Sequence, residues 1–185
     1  FDNTFRGPVT VRQALAQSLN VPSVKLLYLA GVNDSIQTAE ELGITTLTDP
    51  NRYGLSLVLG GAEVRLLEMV SAFGVFANDG VRNAPTAVLR VTDAAGRLLE
   101  ERREVGRPVI DSEVARTVND ILSDNDARVP LFAPNSPLYF PDRRVAAKTG
   151  TTQDYRDAWT IGYTPSIAVG VWSGNNDNTP MLQMG

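Results

Sequence analysis

The sequence predicts an α+β fold in which a helical part comes first and an antiparallel sheet comes last. Three observations lead to this prediction. Helix-capping and helix-ending residues flank apolar segments of helical spacing in the first 80 residues. A turn signature at residues 93–96 separates two strand-like segments, and three more strand-like segments lie between residues 143 and 174. The 185 residues suffice for one domain with a buried core.

The first two helices meet near a proline. Thr10 and Gln13 have the spacing of a capping box, which predicts that a helix begins there. Pro22 is expected to interrupt this helix, because proline removes a backbone donor. A second apolar helix is expected over residues 23–30, with Gly31 at its end.

Three further helices are expected. One spans residues 34–42 and ends at Gly43, and the strongest lies within "AEVRLLEMVSAFGVFANDG", which ends at Gly80. Asp111 is expected to cap the last of them. This last helix is expected to bury Val114, Val118 and Ile121.

Two groups of strands follow from the remaining patterns. "TAVLRVTD" and "RLLEE" flank Asp93-Ala94-Ala95-Gly96 and predict a hairpin. "RRVAAKTG", "DAWTIGYT" and "SIAVGVWSG" predict the final sheet, whereas residues 123–141, with four prolines, predict a loop. The chain thus divides into a mainly helical part (1–80), a hairpin, helix and loop (81–141) and the final strands (142–175).

The amino-acid composition excludes several kinds of catalytic group and metal site. The chain has no cysteine and no histidine, which excludes disulfides, thiol nucleophiles, Ser-His-Asp triads and histidine-ligated metals. Acid–base chemistry near neutral pH must therefore use lysine, carboxylates or tyrosine. A net charge of -4 without a basic run argues against nucleic acid as a partner. We expect no metal and no cofactor.

One of the two lysines, Lys148, lies in the strand-like segment "AAKTGTT". Gly150 permits close approach of another chain, and Thr149 and Thr151 point to the same face of a strand. Their hydroxyls can hold a carboxylate beside the Lys148 ammonium. An edge strand protected by a lysine would show the same residues without any ligand.

A second polar group, Ser18-Leu19-Asn20, lies where the first helix is expected to end. Irregular backbone at a helix end can project both polar side chains. Such residues also satisfy loose backbone groups at helix ends, which is the alternative interpretation.

Taken together, Ser-x-Asn and the later Lys-Thr-Gly resemble the second and third motifs of the penicillin-binding transpeptidases. "GPVTVRQALAQSLNVPSVKL", "YGLSLVLGGAEVRLLEMVSAFGVFANDGV" and "AAKTGTTQDYRDAWTIGYTPSIAVGVWSGNND" are similar, in this order, to segments of the class A bifunctional peptidoglycan synthases. The resemblance implies an incomplete β-lactamase/transpeptidase-like fold.

The resemblance also implies a reaction. In this family a serine attacks a stem peptide that ends in D-Ala-D-Ala, and the acyl-serine then passes the peptide to an amine of a neighbouring strand. β-Lactams mimic the dipeptide and acylate the same serine. In this family the cross-linking reaction takes place at the extracytoplasmic face of the bacterial cell membrane.

The roles that the resemblance implies for the second and third motifs fall on residues of this chain. Ser18 corresponds to the serine that relays a proton to the leaving nitrogen, and Asn20 to the asparagine that binds the substrate amide. Lys148 corresponds to the third-motif lysine, which keeps the site positive and supports proton transfer. The resemblance implies that Thr149, Gly150, Thr151 and Thr152 form the substrate-binding stretch and that the Thr151 N–H provides half of the oxyanion hole.

The family's first motif, Ser-x-x-Lys, does not occur in this sequence. We therefore expect the chain to be part of a transpeptidase domain, with the nucleophile and membrane anchor outside it, and to be inactive alone. Exposed sheet surface is expected to cause self-association. The alternative function is a non-catalytic module of the same fold that binds peptidoglycan or a partner. A β-lactamase would need a deacylating base, and no glutamate is marked for that role.

Overall fold

The computed structural model describes residues 6–103 and 105–182, and its first part is helical. The helices are α1 (Val11–Ala16), α2 (Asn20–Ala30), α3 (Val32–Leu42) and α4 (Leu66–Ala77), with short 3₁₀ helices at Pro50–Arg52 and Gly54–Leu59. Next come β1 (Val81–Arg82), β2 (Arg90–Thr92), β3 (Leu98–Glu101), β4 (Arg107–Pro108), α5 (Ser112–Leu122) and α6 (Asn125–Phe132). The last strands are β5 (Ala146–Thr151), β6 (Asp157–Thr164) and β7 (Ile167–Gly174). The predicted order, helices first and antiparallel sheet last, is confirmed.

The predicted helix ends are formed by the expected local contacts. The Thr10 hydroxyl accepts a hydrogen bond from the Gln13 backbone, while the Gln13 side chain accepts one from the Thr10 N–H, so the capping box is present. Gly43 ends α3 in the left-handed region with φ of 106°, which glycine adopts without strain.

The predicted effect of Pro22 was wrong. The chain leaves α1 at Gln17, and α2 already begins at Asn20, so Pro22 lies in the first turn of α2. The first backbone N–H groups of a helix have no partner within the helix, and proline therefore costs little there. The break falls instead at Ser18, whose φ is 55°.

The predicted loop over residues 123–141 contains a helix. Asp124 caps α6 by accepting a hydrogen bond from the Ala127 N–H at 2.9 Å. Pro130 lies inside this helix, and because proline disfavours a helix interior, the sequence did not predict the helix. The cap and the hydrogen bonds that Arg128 donates to backbone carbonyls of neighbouring segments stabilise a segment that its proline content disfavours.

The buried face of α5 is rotated from the predicted one. Val114 is 52% exposed, whereas its neighbour Ala115 is fully buried. Val118 packs on a cluster of buried residues and Ile121 is buried, as predicted. The smaller Ala115 side chain thus lies in the interior, and Val114 faces solvent.

The final sheet is antiparallel in the order β5-β6-β7, and β5 is an edge strand. The predicted hairpin is present as β2 paired with β3. A third pair, β1 with β4, had no signal in the sequence because each strand has only two residues.

One face of the final sheet packs on α4 and α5. Tyr163 of β6 is buried there, edge-to-face against Phe73 at 5.9 Å between ring centroids. Its hydroxyl donates to the Asn119 side chain of α5 at 2.7 Å. On the opposite face, Ile167, Val169 and Val171 of β7 are exposed. Within the described parts of the chain, no helix has the length and apolarity to cross a bilayer.

Candidate active site

Ser18 lies in a sharp bend between α1 and α2. Its positive φ turns the chain, and the Leu19 N–H then donates back to the Ala14 carbonyl at 2.9 Å. The preceding residue, Gln17, is buried, and its amide donates to the Ala127 carbonyl at 3.0 Å. The bend is therefore fixed to α6, and the exposed Ser18 side chain is directed by backbone geometry.

Lys148 reaches this bend from β5. Its ammonium donates to the Ser18 hydroxyl oxygen at 2.7 Å and to the Thr149 carbonyl at 2.6 Å. The two residues are 130 positions apart in the chain. Ala146 and Ala147, which precede Lys148, are buried, so the strand enters the site from the core.

The surroundings of Lys148 make its proton labile. Burial lowers the pKa of Lys148 to about 8, and the positive charge of Arg128 adds to the effect. An ammonium with this pKa loses its proton in the near-neutral range, which an arginine at the same place would not do. The contact with Ser18 is thus a lysine–hydroxyl pair in which a proton can be exchanged.

Two other polar residues of the strand, Thr149 and Thr151, follow Lys148. Thr149 pairs with Thr160 and Thr151 with Ala158, so the two threonines share one face of the sheet. Gly150, between them, pairs with Trp159. Within the described residues β5 pairs with β6 along one edge and with no strand along the other, which is called its outer edge below and has the geometry to pair with an extended chain.

Thr152 is held by the neighbouring strand. Its hydroxyl donates to an Asp157 carboxylate oxygen at 3.0 Å and accepts from the Asp157 N–H at 2.9 Å. The other carboxylate oxygen of Asp157 accepts from the Trp172 indole N–H at 2.8 Å. Asp157 therefore joins the end of β5 to β6 and β7.

The structure brings some of the predicted site residues together and leaves others separate. Ser18 and Lys148 are in direct contact, and Asn20 is exposed two residues after Ser18, at the first position of α2. Within residues 6–103 and 105–182, the side chains of Asn20, Thr149 and Thr151 make no hydrogen bond to another side chain or to the backbone. These three groups are thus available to a ligand.

Three residues that support the site were not predicted from the sequence. Gln17 fixes the bend, Asp157 braces the strand end, and Arg128 lies behind the strand. Asp157 follows the quoted Lys-Thr-Gly stretch closely, which was a usable signal. Arg128 gave no signal, because its segment was predicted to be a loop.

Within the described ranges, no group of three or more acidic side chains is arranged to hold a metal ion. The chemistry that the arrangement offers is proton exchange between Lys148 and Ser18, beside an edge strand that can bind an extended chain.

The chain is similar to known proteins along most of its length. The family model described as "Penicillin binding protein transpeptidase domain" matches residues 1–181. The chain is 36% identical over 176 residues to penicillin-binding protein 2D of Bacillus subtilis, covering 93% of this chain and 25% of that protein. It is 34% identical over 188 residues to penicillin-binding protein 1C of Escherichia coli, covering 98% of this chain and 22% of that protein.

Solved structures show the same similarity. The penicillin-binding protein PonA1 of Mycobacterium tuberculosis superposes with a TM-score of 0.80 at 27% identity, covering 95% of this chain and 50% of that one. PonA1 in complex with penicillin V matches with a TM-score of 0.75, also at 27% identity, over 94% of this chain and 50% of that one. The chain spans about a quarter of the length of the curated relatives that it matches.

Proposed function

The chain belongs to the penicillin-binding protein transpeptidase family, and on this basis we propose that it forms part of a D,D-transpeptidase. The reaction that we propose is the cross-linking of peptidoglycan stem peptides that end in D-Ala-D-Ala, through an acyl-serine intermediate. The same site is the proposed target of β-lactams, which is supported by the PonA1 complex with penicillin V.

The observation that carries this proposal is the 2.7 Å contact between Lys148 and Ser18. In acyl transfer, the attacking serine loses its hydroxyl proton, the carbonyl–nitrogen bond breaks, and the leaving D-alanine amine gains a proton. Ser18 can deliver a proton to the amine and recover one from Lys148, and the proton that the attacking serine released then restores the charge of Lys148. The low pKa of Lys148 favours this exchange, since a lysine at its ordinary pKa of 10.5 would hold its proton more tightly.

The substrate is proposed to lie along the outer edge of β5. A stem peptide in extended form can pair with this edge, and Gly150 offers no side chain to obstruct it. Thr149 and Thr151 have hydroxyls without an internal partner in the described structure, which supports a role in holding the terminal carboxylate. The Thr151 N–H is proposed to supply half of the oxyanion hole. Asn20 is proposed to bind the substrate amide from the opposite side.

For Thr152 the hydrogen bonds with Asp157 favour a different contribution. Its hydroxyl already donates and accepts within the protein, so it has less capacity for a ligand than Thr149 or Thr151. We propose that Thr152 fixes the end of the substrate-binding strand.

The nucleophile is proposed to come from outside these 185 residues. No serine in the sequence has a lysine three positions later, and the chain matches only part of its relatives. We therefore propose that this chain alone is inactive, and that the full-length protein acts at the extracytoplasmic face of the bacterial membrane. The exposed apolar face of β7 is proposed to make the isolated chain self-associate.

Labelling with a fluorescent penicillin tests the proposal. The 185-residue chain should remain unlabelled, while the full-length protein should be labelled covalently. In the full-length protein, Lys148→Ala should slow labelling by about 100-fold or more, because it removes the proton-exchanging group. Lys25→Ala is the matched control, since it removes the other lysine of these 185 residues and should leave labelling unchanged. Labelling of the isolated chain, or full labelling of Lys148→Ala, would contradict the proposal.

A further inference from the structure

A buried arginine lies directly behind the strand that carries Lys148. Arg128 of α6 is only 2% exposed. Its guanidinium donates to three backbone carbonyls: those of Leu122, of Leu138 at 3.3 Å, and of Ala147 at 3.4 Å. Ala147 immediately precedes Lys148, so Arg128 contacts the backbone of the site strand from its inner side.

The charge of Arg128 has no hydrogen-bonded counterion among the described residues. Asp124 is the acidic group whose charge acts on it, but both Asp124 oxygens are engaged elsewhere. One accepts from the Ala127 N–H, and the other accepts from the Arg12 side chain at 2.9 Å. A buried cation without a paired carboxylate is costly in free energy, so its presence beside a functional strand needs a reason.

Two carboxylates on the elements around Lys148 are engaged with other partners. Asp120 of α5 pairs with Arg12 and Arg144, and Asp157 of β6 accepts hydrogen bonds from Thr152 and Trp172. Among the described residues of the bend between α1 and α2, the hydrogen-bond partner of Lys148 is the uncharged Ser18 hydroxyl. Arg128 is the charged side chain whose field acts on Lys148, as the second cause of its lowered pKa after burial.

We propose that Arg128 is a positioning residue for Lys148. Its guanidinium holds the strand at the Ala147 carbonyl and keeps a positive charge behind it, so that the Lys148 amine can exchange a proton with Ser18. The consequence for acyl transfer rests on the proposed function, whereas the effect on the Lys148 proton does not.

Proton binding by Lys148 can be followed directly, because the chain has only two lysines. Lysine labelled with ¹³C at the ε position should give two NMR signals in the full 185-residue chain, and Lys25→Arg assigns them. The Lys148 signal is titrated with pH in wild type, Arg128→Met and Arg128→Lys; the last variant adds a third lysine signal, which is identified by its absence from wild type. Arg144→Met is the matched control, since it removes an exposed arginine that is paired with Asp120.

In wild type, the Lys148 signal should titrate at about pH 8. Arg128→Met should move this midpoint to higher pH, toward the ordinary lysine value of 10.5, because the like charge is removed. Arg128→Lys and Arg144→Met should leave the midpoint close to that of wild type. An unchanged midpoint in a folded Arg128→Met protein would overturn the proposal, as would an equal shift in Arg128→Lys.

A second neutral variant covers the case in which Arg128→Met does not fold. Arg128→Gln keeps an amide donor for the Ala147 carbonyl and should show the same upward shift. If neither neutral variant folds, the proposal is also overturned, because Arg128 then serves the stability of the fold. The titration does not depend on acylation, so failure of the proposed enzymatic function would leave its result valid.

Discussion

The two sides of the Ser18–Lys148 contact are built in different ways. Lys148 lies in a strand that pairs with β6 along its length, and the residues before it are buried. Ser18 lies in a single exposed bend with a positive φ, fixed mainly by the neighbouring Gln17. The comparison indicates that the strand side sets the electrostatics of the site, whereas the bend side sets only the position of one hydroxyl.

The strand side should control how stability depends on pH. The folded-state pKa of Lys148 is about 8 against 10.5 for the free side chain, so the unfolded chain binds more protons between these values. The free energy of unfolding should therefore increase as pH rises from 8 to 10.5. The gain is at most about 3 kcal/mol.

Denaturant unfolding at a series of pH values, in wild type and Lys148→Met, measures this effect. The difference between the two proteins isolates Lys148 from other groups. Tyr163 has a pKa raised by burial, and it should lower stability once the pH passes the ordinary tyrosine value of 10.0. A wild-type curve parallel to that of Lys148→Met between pH 8 and 10 would remove Lys148 as the cause.

A smaller effect on the free energy of unfolding is expected at the end of β5. Asp157→Ala should lower the free energy of unfolding by about 2 kcal/mol, because Thr152 and the Trp172 indole lose their acceptors. Asp157→Asn keeps an acceptor for Trp172 and should cost less than half as much. Thermal or urea unfolding gives both values. Equal losses in the two variants would mean that the hydrogen bonds are not what Asp157 contributes.

The smallest effect on the free energy of unfolding is expected at Ser18, in the bend between α1 and α2. Ser18→Gly and Ser18→Ala both remove the hydroxyl that Lys148 contacts, but only glycine accepts a φ of 55° without strain. Ser18→Gly should therefore be more stable than Ser18→Ala by about 0.5–1 kcal/mol. Urea unfolding at pH 7 measures the difference. A more stable alanine variant would show that the bend is not strained.

Local signals in the sequence predicted much of the fold. The capping box at Thr10 and the helix-ending glycine Gly43 depend only on neighbouring residues, and both were correct. Pro22 and Pro130 misled the prediction, because proline is compatible with the first turn of one helix and with a short helix that tertiary contacts stabilise. The side-chain period alone also placed the buried face of α5 one residue away from Ala115.

The candidate site was predictable only in its motif residues. The residue types around Ser18 and Lys148 identified both ends of the contact, although they are 130 positions apart. The role of Arg128 was not predictable, because its carbonyl partners come from three separate segments and converge only in the folded chain. A residue that acts on a site through contacts with backbone carbonyls has no characteristic spacing from the site residues in the sequence.

A double-mutant cycle on the rate of penicillin acylation tests most directly whether Ser18 and Lys148 act as one unit. The full-length protein is compared with Ser18→Ala, Lys148→Ala and the double variant, and the second-order rate of acylation is measured for each. If the two side chains share one proton, the double variant should react no more slowly than the slower single variant. Losses that multiply in the double variant would contradict this account, because they would mean that the two side chains act independently.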